Sequence, residues 1–221
     1  MGHLLNFKRP DNTSCRGYLA TAGQDRPGVV VIQEWWGLND QICGVADRFA
    51  RAGFNALAPD LYHGRITQDA NEASHMMNGL DFPGATHQDI HGAVTHLQRI
   101  SSQVGVMGFC MGGALTIASA VHVPALSAAV CFYGIPPQEF ADPANIRIPF
   151  QGHFATQDDW CVPSMVDALE ATLQKTGAPA EIHRYAAAHG FFNERRGDVY
   201  NANAASLAWE RMTVFFTQHL G

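Results

Sequence analysis

Charge is scarce in this chain. Of 221 residues, 14 are Lys or Arg and 20 are Asp or Glu, giving a formal net charge of −6, and there is no basic run. A protein that grips a phosphate backbone needs such a run or stripe, so nucleic acid is not an expected partner. The five cysteines (Cys15, Cys43, Cys110, Cys131 and Cys161) are odd in number, and no two form a C-x-x-C pair. That argues against a disulfide framework or a zinc ribbon and fits a reducing, cytoplasmic setting. Long apolar runs are missing too: the longest, Ala118 to Phe132, is broken by His122 and Pro124, too short to span a bilayer. The opening MGHLLNFKRPD lacks the apolar region of a secretory signal. Asn6 stands where a myristoylation motif needs Ser or Thr. No membrane attachment is expected.

What is present is apolar material, 47% of the chain, enough for a sizeable core. The length suits one domain over residues 1–221. Runs rich in Val, Ile and Phe alternate with segments of helical period, the pattern of a parallel α/β sheet. The expected core strands are 28–35, 54–62, 104–109, 128–134, 148–157 and 180–186. Two more polar stretches, LLNFKR and RGYLATA, flank the turn-rich PDNTSC and read as an antiparallel hairpin at one sheet edge. Ile42, Val45, Ala46, Phe49 and Ala50 mark a helix that Gly53 would close. Ile90, Ala93, Val94 and Leu97 mark another. Val166, Leu169 and Leu173 mark a third, closed by Gly177, and Ala205 to Phe216 the last. The stretch from about His63 to Ala85 reads as a lid, or as a short helix and loop.

The sharpest motif is GFCMGG, Gly108 to Gly113, between an apolar strand and the helical run ALTIASAV. It has the form of a nucleophile elbow, G-x-S-x-G, with Cys110 in the serine position. Glycines at 108 and 112 keep side chains out of a tight turn. Cys110 would sit at a helix N-terminus, where free N–H groups stabilise a thiolate. Read alone, the motif fits a buried cysteine in a βα turn equally well. Acidic and basic partners follow in the order expected of an elbow enzyme. GHFATQDDW places Asp158 and Asp159 just past a strand, and AAAHGFF places His189 past the last strand. Strand C-termini are where open α/β sheets hold their sites.

QEWWGLN, GFCMGG, GHFATQD and AHGFF, in that order, resemble the dienelactone hydrolase family over most of the chain. The resemblance implies an α/β-hydrolase fold: a mostly parallel central sheet, helices on both faces and an N-terminal antiparallel hairpin. It implies that Cys110 is the nucleophile, Asp158 the acid and His189 the base. Glu34 matches a glutamate that contacts the cysteine at rest and takes part in its activation. The oxyanion hole would come from the backbone N–H groups of Trp35 and Met111. Tyr133 resembles a family tyrosine near the site, although a core or rim position is equally consistent with CFYG. Trp36 is expected in the pocket wall.

Three departures stand out. The family's acid precedes a proline by four residues, a spacing that Asp159 and not Asp158 has to Pro163, so Asp159 stays the alternative. Asn193 occupies the place of a family arginine that binds a substrate carboxylate, with Arg195 and Arg196 just beyond. The other family arginine has only Arg65 as a counterpart.

The expected function is hydrolysis of a lactone or ester, dienelactone first and a broader small ester second, with no cofactor. The expected state is a monomer or weak homodimer. Two other classes compete: a non-catalytic ligand-binding relative, and a thiol redox protein, which lacks a resolving cysteine nearby in sequence. His87 and His91 have metal-ligand spacing, but with no third ligand evident they are read as surface histidines.

Overall fold

The computed structural model describes residues 1–221. Eight strands form one sheet in the order β1-β2-β4-β3-β5-β6-β7-β8. Strands β1 (His3–Lys8) and β2 (Ser14–Ala20) make the antiparallel hairpin, and β2 also runs antiparallel to β4 (Asn55–Pro59). All other pairings are parallel, through β3 (Gly28–Ile32), β5 (Val104–Phe109), β6 (Ala128–Phe132), β7 (Phe150–Gln157) and β8 (Ala180–Ala188).

Two apolar layers, of 30 and 29 buried residues, cover the two faces. Their near-equal size is why the central strands read as continuous apolar runs rather than alternating ones. Along β3, Val30 and Ile32 point into one layer and Val29 and Val31 into the other. Helices α1 (Asp40–Arg51) and α7 (Ala202–Leu220) pack on the second layer through Ile42, Phe49, Met212 and Phe216. On the opposite face lie α4 (His91–Leu97), α5 (Met111–His122) and α6 (Pro163–Thr176). The closing glycines are as expected: Gly53 has φ +94° and Gly177 φ +69°, backbone that a β-carbon disfavours.

The stretch past His63 contains α2 (Ala70–Asn78), capped by the Asp69 carboxylate on the Glu72 N–H at 2.9 Å. A turn of helix, α3 (Phe82–Gly84), and a π-helical segment (Ala85–Ile90) then lead into α4. Four expected spans shorten, 128–134 among them, which ends at Phe132. The strand expected over 28–35 ends at Ile32, leaving Gln33 to Trp36 free to turn into the site, and 54–62 shortens to Asn55–Pro59. The span 148–157 begins only at Phe150. His87 is exposed, its ring 5.2 Å from that of His122, and no group of three His, Cys, Asp or Glu side chains is arranged to hold a metal ion.

Candidate active site

The site forms where the C-terminal ends of β3, β5, β7 and β8 meet. Cys110 links β5 to α5 with φ +55° and ψ −117°, a left-handed backbone costly for any residue but glycine. The turn holds because the chain packs against itself. A β-carbon on Gly108 would lie 2.3 Å from the Gly112 carbonyl oxygen, and one on Gly112 would lie 2.5 Å from that of Gln33. The Cys110 N–H donates to the Phe132 carbonyl at 3.0 Å, tying the elbow to the neighbouring strand. The thiol, half-buried, thus stands at the first turn of α5, whose leading N–H groups have no helical acceptor.

His189, just past β8, brings its Nε2 to 3.1 Å from Cys110 Sγ, and its Nδ1 to 2.8 Å from Asp158 Oδ2. Asp158 is buried and its other oxygen accepts the Trp160 and Cys161 N–H groups, both at 2.8 Å. That pins the carboxylate toward the ring. Asp159 is exposed at the cleft wall and makes no bond to His189. Burial works against charge on the ring, but the hydrogen bonds and charges of Asp158 and Cys110 push the His189 pKa up to about 10. Burial opposes the Asp158 charge as well, yet His189 and the two backbone N–H groups hold its pKa below the ordinary carboxylate value.

Glu34 is not placed on the cysteine, as the resemblance implied. It is buried, with Oε1 accepting the Tyr133 hydroxyl at 3.2 Å and Oε2 accepting Asn193 Nδ2 at 2.6 Å. The physical reason is competition: the thiol is taken by His189, and two donors aimed at the carboxylate satisfy it elsewhere. Burial raises its pKa, partly offset by Asn193, His189, Tyr133 and Arg196. Tyr133 is itself 1% exposed, and its ring centroid lies 5.1 Å from that of His189.

Arg65 does not join the site. It is exposed, paired with Glu72 at 3.6 Å, and lines a separate hollow beside α2. The loop carrying it packs its backbone on Trp36 and Gly37, and the Arg65 side chain turns to Glu72 of α2. Arg196 is instead the cation that lines the cleft, its Nε and Nη2 donating to Asp198 at 2.9 and 2.6 Å and its guanidinium 5.5 Å from the centre of a Trp36 ring. Trp35 and Trp36 meet edge-on at 5.0 Å and form one wall, and the Trp35 N–H has no acceptor within the chain. Met111 is the first residue of α5.

Sequence reasoning missed several neighbours. Asn193 was visible only as an absent arginine. Met77 reaches the cleft from α2, and Trp160 from the loop after β7, with no motif to mark either. Cys161 shares a cavity with Cys110, although nothing in sequence pairs them.

A cysteine elbow on a mostly parallel eight-stranded sheet, with its histidine and acid on later strand ends, defines an α/β-hydrolase. The comparisons with known proteins go further. The family model for the dienelactone hydrolase family matches residues 15–220. Protein usf of Aquifex pyrophilus is 34% identical over the full length of both chains. A Saccharolobus solfataricus protein with the provisional name carboxymethylenebutenolidase is 33% identical, covering 95% of this chain and 96% of its own. The crystal structure of a dienelactone hydrolase-like promiscuous phosphotriesterase from metagenomic libraries superposes with a TM-score of 0.87 at 26% identity, covering 100% of this chain and 99% of that one. This chain belongs to the dienelactone hydrolase family.

Proposed function

We propose that the protein hydrolyses a carboxylic ester or lactone through a thioester on Cys110. The observation that carries this reading is the unbroken chain Cys110 Sγ, His189 Nε2, His189 Nδ1, Asp158 Oδ2, with links of 3.1 and 2.8 Å, at a helix N-terminus.

The chemistry follows from the geometry. The Cys110 sulfur, its proton held by His189, adds to the carbonyl carbon, and the oxygen becomes an oxyanion. The N–H groups of Trp35 and Met111 receive that charge. The carbon–oxygen bond breaks, His189 Nε2 returns the proton to the leaving oxygen, and the acyl group stays on sulfur. Water then attacks the thioester, giving its proton to His189, and the acid leaves as Cys110 recovers its thiol. Asp158 fixes the ring and stabilises the imidazolium between steps. Glu34, beside the same ring, adds a second negative charge whenever it is ionised.

Carboxymethylenebutenolide, the dienelactone, is the first substrate we assign. The family and a relative's provisional name support it, and Arg196 on the cleft wall suits its carboxylate. A small-molecule carboxylesterase is the second reading, favoured by an apolar cavity on the other side of Cys110. The site works without a cofactor, and the setting is cytoplasmic.

Steady-state assays of dienelactone isomers and simple acyl esters, on wild type and Cys110→Ala, test the reading. Turnover lost in the variant supports it. Stoichiometric oxidation of Cys110 and Cys161 without turnover would support a thiol redox protein instead, and binding without either reaction a ligand-binding relative.

A further inference from the structure

Cys110 stands between two cavities, not at the bottom of one. The first, about 270 Å³, is lined by Glu34, Trp36, Asn193 and Arg196, and by the His189 loop from Ala188 to Gly190. The second, about 260 Å³, is walled by Phe82, Ala114, Ile135, Pro136, Pro137 and Met165, and holds no charged residue except His189. Met77, Cys110, Trp160 and His189 line both. A third, polar hollow of about 540 Å³ continues the first past Trp36, Asn193 and Arg196. Gln41 lines it, is 5% exposed, and leaves its Oε1 without a donor. A compact lactone beside Arg196 uses only the first cavity, so the other two call for a larger molecule.

We infer that the site also takes open-chain esters, with the apolar acyl limb in the Ile135–Pro137 cavity and a polar, hydroxyl-bearing alcohol in the cleft leading past Trp36 to Gln41. This rests on the Cys110 hydrolase reading but not on dienelactone as substrate.

The direction of the two limbs follows from the proton. The leaving oxygen must receive it from His189 Nε2, so the alcohol departs on the side built by the histidine's own loop. That side is the Trp36–Asn193–Arg196 cleft. The acyl carbon stays bonded to sulfur at the start of α5, and the cavity bordered by Met111 and Ala114 of that helix receives the rest of the acyl chain. The linings agree with this orientation. Apolar walls favour methylene groups, and an unpaired buried acceptor such as Gln41 Oε1 favours a hydroxyl donor.

The test is a two-way ester series on the intact protein. With the leaving group fixed as p-nitrophenol, kcat/KM should rise about fourfold per methylene from acetyl until the cavity fills. Ala114→Leu should shrink the cavity and lower the hexanoyl-to-acetyl ratio at least tenfold. Met165→Ala, at a 39% exposed position where folding is not at risk, should move the optimum to longer chains. With the acyl group fixed as butyryl, a glyceryl ester should exceed the methyl ester, and Gln41→Leu should erase that preference through KM. A chain-length profile that is flat, or that Ala114→Leu and Met165→Ala leave in place, overturns the inference while Cys110-dependent turnover keeps the hydrolase reading. The same follows if lengthening an apolar alcohol, rather than the acyl chain, raises kcat/KM, or if the glyceryl and methyl esters react alike. Ester turnover that survives in Cys110→Ala overturns both.

Discussion

Asn193 Nδ2 donates to Glu34 Oε2 at 2.6 Å, joining two residues 159 apart in sequence inside the buried floor of the site. With the Tyr133 hydroxyl on the other oxygen, both acceptors of the carboxylate are engaged by neutral donors. An arginine at position 193 would bring a full charge to Glu34; the amide brings only a dipole. The carboxylate is therefore held in place without being neutralised, and burial keeps its pKa up.

Removing that donor should cost stability. Asn193→Leu leaves one Glu34 oxygen buried and unpaired, a penalty of about 1–3 kcal/mol, or roughly 2–10 °C in Tm for a chain of this size. Glu34→Gln in the same background should restore part of the loss, because a neutral amide is cheaper to bury than an unpaired carboxylate. Differential scanning calorimetry of the three proteins decides it. An unchanged Tm in Asn193→Leu would mean water replaces the amide at no cost.

Asp158→Asn should remove most turnover, by about 10³–10⁴ in kcat, while Asp159→Asn changes it less than about tenfold. Asp158 Oδ1 would keep its two backbone donors, which fixes the new amide's NH₂ toward His189 Nδ1. Nδ1 must then accept, the proton moves to Nε2, and the ring no longer takes the thiol's proton. Asp159 is exposed and has no bond to the ring. A crippled Asp159→Asn beside an active Asp158→Asn would overturn the assignment.

The sheet, the hairpin and most of the site neighbourhood were legible because they leave periodic or local marks. Buried parallel strands read as apolar runs, and the elbow glycines form a short local motif, although the backbone that forces Gly112 is that of Ile32 and Gln33 at the end of β3. Asp158 was favoured over Asp159 only by the likeness of GHFATQD, not by any physical mark in the sequence. Two adjacent carboxylates differ only in which face the chain after β7 presents, and the Trp160 and Cys161 N–H groups decide that. The proline spacing pointed the other way because the loop into α6 is one residue longer. Arg65 failed for the same kind of reason: where a loop side chain turns depends on its partner, here Glu72 of α2. The apolar cavity beside Ile135 is assembled from five separate segments, and no local pattern announces it.

Cys110 should be the first cysteine alkylated by iodoacetamide at neutral pH. Cys15, Cys131 and Cys161 are buried, and burial raises their thiol pKa values, that of Cys131 to about 12. Cys43 is half-buried but raised to about 11 by burial and by Asp40 and Asp47. Only Cys110 combines partial exposure with an imidazole at 3.1 Å and a helix N-terminus. Peptide mapping after limited labelling reads the order, and Cys43 ahead of Cys110 would sink the idea.

The His189 pairing also makes stability depend on pH in a stated direction. Its folded pKa is raised from 6.5 to about 10, so the charged ring stabilises the fold fully below about pH 6.5. That contribution is lost as pH climbs from 6.5 through about 10. Asp158 is lowered from 3.8, so its contribution is present above 3.8 and lost as pH falls through the folded value. Both act together between about 4 and 6.5. The Tm difference between wild type and His189→Gln should therefore be widest near pH 5–6 and narrow steadily toward pH 10, leaving only the pH-independent packing difference. Asp158→Asn, which removes the ring's anionic partner, should flatten the same curve. The outcome bears on mechanism as well. An imidazolium held to high pH means that the ring already carries, at rest, the proton that a leaving group would take. A Tm difference that stays level from pH 6 to 10 would mean a neutral ring at rest and would overturn the pairing's claimed charge.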